Sequence, residues 1–260
     1  MKSLLKRLAA RAAASSPVRS AVVHLVYPSI VRCLMSEIRA DEPSPSGVIE
    51  ALAWKAHAHA VLYDELAGGV DCCAGPPHSN TETRERLMGV ALKAIESHPG
   101  DIVEFGVSSG ESFLELVRRC PGRQVIGFDS FEGLPEAWWS RPKGAFAAEA
   151  PQIESPNAQL VKGWFAESVP AFFLQWRGQI ALLHVDCDLY SSTSTALSHA
   201  LAFCREGSVV LFDEYYNYPG FADHEWLAWR QARARLRISA SCIAYDGRRA
   251  AFRIDSIRAS

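Results

Sequence analysis

Four acidic residues in the second half of the chain stand where an apolar run gives way to polar sequence. Asp186 and Asp188 follow Ile180–Val185. Their two-residue spacing puts both side chains on one side of an extended backbone. Asp213 and Glu214 follow Val209–Phe212. If both runs are strands of a parallel sheet, they end at the same edge and the four carboxylates can converge. Bare carboxylates held together repel, and a divalent cation relieves the repulsion. Oxygen donors favour Mg2+ or Ca2+ over zinc. The same acids could instead serve only to bind a cofactor and cap helices.

A second group lies earlier. Glu104-Phe105-Gly106-Val107-Ser108-Ser109-Gly110-Glu111-Ser112 follows one apolar run and opens a helix. Glycines let the backbone turn sharply and approach a ligand. A helix N-terminus adds free N–H groups and positive dipole. The dinucleotide fingerprint G-x-G-x-x-G is absent, because Ser108 stands at its middle glycine. Glu104 would repel a pyrophosphate but suits an amine. Asp129 ends the next apolar run, 23 residues after Gly106. An acid there can accept both hydroxyls of a ribose, or it can cap a turn.

These residues need a scaffold, and the pattern supplies one. A linker spans residues 41–47, where two prolines and a glycine oppose a helix. Val48–Leu66 reads as a helix, and Gly75-Pro76-Pro77 marks a loop. Ser79 with Glu82 forms a capping box for a helix that ends before Pro99-Gly100. From residue 102 strands and helices alternate. Strands are expected at 102–106, 124–128, 160–162, 180–185 and 209–212, with helices at 112–119, 192–204 and 223–236. Two late strands, 238–245 and 249–254, meet at Asp246-Gly247, a strong hairpin signal. Alternating strands and helices with a closing hairpin predict an α/β fold whose mostly parallel sheet has one antiparallel strand.

Composition narrows the class further. The chain has 260 residues, 48% of them hydrophobic and 22% charged, which excludes a disordered chain and a small disulfide scaffold. The net charge of −2 argues against a nucleic-acid partner, but it hides an asymmetry. Residues 1–40 hold seven Lys/Arg and one acid, Glu37, a net of +6, so the remainder carries −8. This basic, amphipathic head admits three readings: a helix packed on the body or a second subunit, peripheral contact with a membrane surface, or a targeting segment. Seven cysteines without a C-x-x-C pair fit a reduced, cytoplasmic protein. No apolar run is long enough for a membrane span.

Several runs taken together resemble the macrocin-type (TylF-like) family of class I S-adenosylmethionine-dependent O-methyltransferases. They are EFGVSSGES, FDSFEGLPEAW, KGWFAESVP, HVDCDLYSSTSTAL and LFDEYYNYPG, in the family's order over about residues 80–255. The resemblance implies a Rossmann-like class I fold, with a seven-stranded sheet and a C-terminal antiparallel hairpin. The methyltransferase domain would cover 79–260, behind an N-terminal helical extension at 1–78.

The same resemblance implies roles. Glu104, Gly106, Gly110 and Ser112 would form the first cofactor motif, with Glu104 near the methionine amine. Asp129 would bind the ribose, and Ser130 and Phe131 would lie against the nucleoside. Gly163, Trp164 and Phe165 would lie near the adenine, although Trp164 and Phe165 could equally be core. Asp186, Asp213 and Glu214 would hold Mg2+, and Asp188 would be the general base on the substrate hydroxyl. Glu214 departs from the aspartate common in the family and reaches one methylene further. The implied acceptor is a sugar, a sugar-bearing metabolite or a glycan, and the implied assembly is a homo-oligomer.

Two other readings compete: a nicotinamide-dependent oxidoreductase on a Rossmann sheet, and a non-catalytic, membrane-associated binding protein. Outside the motifs, residues 138–157 are loop-like and could be a lid or an inert insertion. Tyr190, Tyr215, Tyr216 and Tyr218 could shape an acceptor pocket or simply pack. His184 reads as a core histidine with a satisfied ring. His224 and Glu225 could reach the acids.

Overall fold

A computed structural model of the chain describes residues 45–74 and 79–257. The basic head and the Gly75-Pro76-Pro77 loop lie outside these residues. The described residues divide into two compact units. One runs to Asp64 and includes Asn217–Pro219; the other comprises Glu65–Tyr216 and the residues from Gly220 onward. In the first unit Lys55 Nζ donates to Asn217 Oδ1 at 2.7 Å. Its helix α1, Pro45–Val61, leads into a π-helical turn, Leu62–Leu66. The expected linker at 41–47 therefore ends sooner than the sequence suggests. Pro45 is tolerated because the N–H groups of a first helical turn have no intrahelical partner to lose.

The second unit is built on one sheet. Its elements are β1 (Val70–Asp71), α2 (Asn80–Ala94), β2 (Asp101–Phe105), α3 (Glu111–Arg119), β3 (Val125–Asp129), β4 (Ala158–Lys162) and α4 (Phe165–Gln175). Next come β5 (Ile180–Val185), α5 (Tyr190–Ala200), β6 (Cys204–Phe212), α6 (Glu225–Leu236), β7 (Ile238–Tyr245) and β8 (Ala250–Ile257). The sheet order is β1-β7-β8-β6-β5-β2-β3-β4. Only β8 runs against its neighbours, pairing antiparallel with both β6 and β7. The seven expected strands are thus joined by an eighth. It pairs only Val70 with Ala244 and Asp71 with Tyr245, too short a run for hydrophobic alternation to reveal.

Parallel strands covered on both faces must be apolar throughout. All six residues of β5 are buried, and His184 is the only polar one. Ile102, Val125, Leu182 and Val209 on neighbouring strands join a core that receives Leu87, Met88 and Ala91 from α2 and Phe113 and Leu116 from α3. Burying one Leu or Phe side chain in such a core contributes roughly 1.5–3 kcal/mol.

Helix α2 begins as expected. Ser79 Oγ accepts the Glu82 N–H at 3.2 Å, and Glu82 Oε2 accepts the Ser79 N–H at 2.6 Å. Helix α4 is an addition to the sequence-based elements. Pro170 inside it opposes helix by intrinsic preference. Packing overrides that preference, since Phe172 and Phe173 set their rings against Phe128 at centroid distances of 5.1 and 5.8 Å. The hairpin turn is closed by Asp246, whose Oδ1 accepts the N–H groups of Arg248 and Arg249 at 2.8 and 2.7 Å. Among the described residues the six cysteines are free, and no helix is long and apolar enough to cross a membrane.

Candidate active site

The carboxyl ends of β2, β3, β5 and β6 open into a cavity of about 630 Å3. Such sheet edges are where ligands bind in α/β folds. Gly106 forms part of its floor with φ +93°, and a side chain there would run into the carbonyl oxygen of Asp186. The two loops therefore approach as closely as backbone permits, and only glycine fits. Asp129 ties the neighbouring loops together. Its Oδ2 accepts the N–H groups of Val107 and Ser108 at 2.8 and 2.7 Å, and its Oδ1 accepts that of Phe131 at 2.7 Å. A carboxylate has about four acceptor positions, so Asp129 can still accept from a ligand in the cavity it lines.

The acids gather as their spacing suggests. Asp186, Asp188, Asp213 and Glu214 all line this cavity. The β5–β6 pairing carries on past the strand ends, with the Asp213 N–H donating to Val185 O at 2.9 Å. On the other side the Asp186 N–H donates to Phe105 O at 2.8 Å. Asp188 has a left-handed backbone, φ 61°. Burial pushes its carboxyl up to about 7; Asp213 adds to that, while Arg248 and Arg141 hold it down. Burial likewise raises Glu214 to about 8, against the pull of Arg248. Asp186 is raised well above the usual range by burial and then by the charge of Asp213.

Three further residues hold this group in place. Arg249 Nε donates to Asp213 Oδ1 at 2.7 Å, and Arg248 donates to Glu214 Oε1 at 3.0 Å. Glu225, fully buried, accepts the N–H groups of Cys187, Asp188 and Glu214 at 3.4, 3.2 and 3.1 Å. It links the loop after β5 to the loop after β6. The arginines follow the Asp246-Gly247 turn, and antiparallel β8 starts at the edge where β6 ends. The hairpin signal was therefore the clue to their position.

Glu104 and His184 are paired beneath the acids. The β2–β5 register sets them side by side, and His184 Nδ1 lies 2.7 Å from Glu104 Oε1. Both are buried, and both keep one polar atom without a partner among the described residues, Glu104 Oε2 and His184 Nε2. His184 is thus half satisfied, where the sequence suggests a satisfied ring. His184, Asp186 and Asp213 offer ligand atoms that lie within 4.8 Å of one another. Glu214 is not part of this group.

The wall of the cavity comes from Ser130, Trp164 and Phe165 on one side and Ser191, Ser192 and Thr195 of α5 on another. Trp138, Trp139, Arg141 and Phe146 complete it. They belong to the long loop, which backbone hydrogen bonds between Leu134 and both Gly144 and Ala145 fold on itself. Several expected cofactor residues stand back from the wall. Glu104 lies below it, Gly110 caps α3, Ser112 is buried on that helix, Phe131 joins the core and Gly163 turns the chain after β4. Tyr215 donates to Glu65 Oε2 at 2.7 Å and Tyr216 to the Asp246 carbonyl at 2.6 Å, so these two rings are packing groups.

The mostly parallel sheet with its antiparallel C-terminal hairpin matches a Rossmann-like methyltransferase fold, and comparison with known proteins agrees. Residues 103–215 match the family model described as "Methyltransferase domain". Two curated proteins are similar to the chain. The 8-demethyl-8-(2,3-dimethoxy-alpha-L-rhamnosyl)-tetracenomycin-C 4'-O-methyltransferase of Streptomyces olivaceus is 30% identical over 142 residues, which is 45% of this chain and 53% of that protein. The chain thus spans about half the length of that relative. The demethyldecarbamoylnovobiocin O-methyltransferase of Streptomyces niveus is 22% identical over 222 residues, 76% of each chain. Among solved structures, a calicheamicin methyltransferase superposes with TM-score 0.57 at 19% identity, covering 92% of this chain and 93% of its own. The O-methyltransferase NovP superposes with TM-score 0.53 at 20% identity, covering 80% and 98%. At these identities the likeness shows the fold.

Proposed function

We propose that this protein transfers a methyl group from S-adenosylmethionine to a hydroxyl of a sugar or sugar-bearing metabolite. The observation that carries this reading is that Gly106 and Asp129 line one cavity together with Asp186, Asp188 and Asp213. Its volume falls in the range of ligand pockets. The first relative's name supports the acceptor class, since it acts on a rhamnosyl-bearing tetracenomycin; the second acts on demethyldecarbamoylnovobiocin.

The residues present fit S-adenosylmethionine. The cavity that Gly106 and Asp129 line is of ligand size, and the excess of acids suits a cation. When bound, the cofactor supplies an electrophilic methyl on a sulfonium. Asp129 would orient the ribose, and Trp164 and Phe165 would cover the adenine. Asp188 would take the proton of the acceptor hydroxyl, and Trp139 and Phe146 would hold the sugar at the mouth of the cavity. Most of the gain then comes from positioning. A divalent cation also fits, because His184, Asp186 and Asp213 offer ligand atoms within 4.8 Å of one another and buried His184 Nε2 has no partner among the described residues. When bound it would offset the carboxylate charge and lower the pKa of the acceptor hydroxyl.

Nothing in the site favours the nicotinamide reading, since the floor lacks the glycine fingerprint of that fold. The test is calorimetric titration with S-adenosylmethionine, then incubation with a panel of glycosylated metabolites and detection of S-adenosylhomocysteine. Heat of binding and release of the demethylated cofactor with a sugar-bearing acceptor are expected. Absence of S-adenosylmethionine binding sinks the reading.

A further inference from the structure

We propose that His184, through Nε2, is a ligand of a divalent-metal site shared with Asp186 and Asp213, and that its nitrogen biases the site toward Co2+ or Zn2+ over Mg2+. The inference deepens the proposed function, because it names the ligands and the ion class of the cation suggested there.

The placement follows from the sheet. Residues 184 and 186 lie on one face of the chain leaving β5. Asp213 stands beside Asp186, because the β5–β6 pairing continues past the strand ends. Ligand atoms of the three residues lie within 4.8 Å of one another, close enough for small side-chain adjustments to bring them round one ion. The chemistry of the ring agrees. His184 Nδ1 faces Glu104 Oε1 at 2.7 Å, and an ionised carboxylate can only accept. In the neutral imidazole the proton then sits on Nδ1 and the lone pair on Nε2. That nitrogen is buried and has no partner among the described residues, and the residue is 1% exposed. A buried polar atom left unpaired calls for a ligand, and metal-bound histidines usually donate their other N–H to a carboxylate.

The neighbours also define which acids remain available. Arg248 occupies Oε1 of Glu214, whose Oε2 is buried and without a partner among the described residues, but Glu214 is not within the 4.8 Å group. Arg249 occupies only one oxygen of Asp213, leaving the second. Two carboxylates and an imidazole make a mixed oxygen and nitrogen set. Mg2+ prefers oxygen and water, whereas imidazole suits later first-row ions.

The full chain, stripped with chelator, should be titrated with Mn2+ while free ion is counted by electron paramagnetic resonance. Electron spin-echo modulation of the bound ion, in unlabelled and 15N-histidine protein, reads the nitrogen directly. One bound ion is expected, with a histidine nitrogen coupling that changes on labelling and disappears in His184→Asn. Glu104→Gln should weaken Mn2+ affinity roughly 10–100-fold, the usual effect of losing an outer-shell partner. Zn2+ or Co2+ should displace the ion at near-equal concentration, and Mg2+ only in large excess. A bound ion with oxygen-only coordination overturns the role of His184 and leaves the metal-assisted reading standing. No uptake of Mn2+, Co2+ or Zn2+ by protein that binds S-adenosylmethionine overturns the metal site and leaves methyl transfer standing. Circular dichroism of His184→Asn separates misfolding from lost ligation, and the wild-type spectrum decides the matter without any variant.

Discussion

Glu225 Oε1 accepts the backbone N–H of Asp188 at 3.2 Å, and through it a helix fixes the loop that carries the proposed base. The other oxygen of the same carboxylate takes the Glu214 N–H at 3.1 Å. Glu225 does not line the cavity and acts through other residues. Its carboxyl is raised well above the usual range, first by burial and then by the charge of Asp188. Glutamine has one oxygen, so it can serve only one of the two loops. Glu225→Gln should leave buried N–H groups without an acceptor, at a cost of about 1–3 kcal/mol. The melting temperature should fall by several degrees, and kcat should fall more than the KM for S-adenosylmethionine rises. A variant with wild-type kcat and melting temperature would show that the link is idle.

Asp188→Asn removes the proposed base while keeping its size. Turnover should drop about 10²–10⁴-fold, the usual contribution of a positioned base. Affinity for S-adenosylmethionine, measured by calorimetry, should stay within a few-fold. Full turnover in the variant would assign the proton transfer elsewhere.

The buried acids make stability fall as pH rises. Asp188 and Glu214 have carboxyls raised to about 7 and about 8. The folded chain therefore holds protons that the unfolded chain releases near pH 4. The folded state binds more protons between those values, so stability declines from about pH 4 until both groups are ionised, above about pH 8. A carboxyl pKa higher by one in the folded chain corresponds to about 1.4 kcal/mol of stability lost once the group ionises. Metal-free protein should melt at a lower temperature at pH 8.5 than at pH 5.5, and a bound divalent ion should narrow the gap. Arg248→Ala should widen it, since that guanidinium holds both carboxyls down. A melting temperature that rises over this range would contradict the burial of these groups.

Trp139 is 56% exposed and Phe146 46%, yet both line the cavity. Large aromatics left half in water at a cavity mouth are suited to a ligand surface. Trp139→Ala should raise the KM for a sugar acceptor about tenfold and leave S-adenosylmethionine binding unchanged. Equal effects on both ligands would make the loop a general lid rather than an acceptor wall.

Much of this protein could be read locally. Hydrophobic runs marked the main strands, Ser79 and Glu82 marked the start of α2, and Asp246-Gly247 marked the hairpin. The acids at 186, 188, 213 and 214 fell at strand ends, so their convergence followed from the parallel sheet alone. The reading weakened where packing outweighed local preference, as in α4 around Pro170, and where a strand was only two residues long, as in β1. Phe131 and Ser112 carry motif positions but are buried and do not line the cavity.

The amino-acid order determined the class of fold and the edge at which chemistry would gather, because both follow from periodicity and from which residue ends each strand. The pairing within that edge was decided only in three dimensions. Glu104 and His184 are 80 residues apart and meet through the β2–β5 register. Glu225 reaches two loops at once from the first turn of α6, and Arg248 and Arg249 reach Glu214 and Asp213 because β8 runs backward beside β6. Hydrogen bonds and metal ligation act over about 3 Å, whereas sequence patterns report only which way a side chain faces. Which acid is tied to an arginine, which supports backbone and which is left for a ligand therefore depended on strand register.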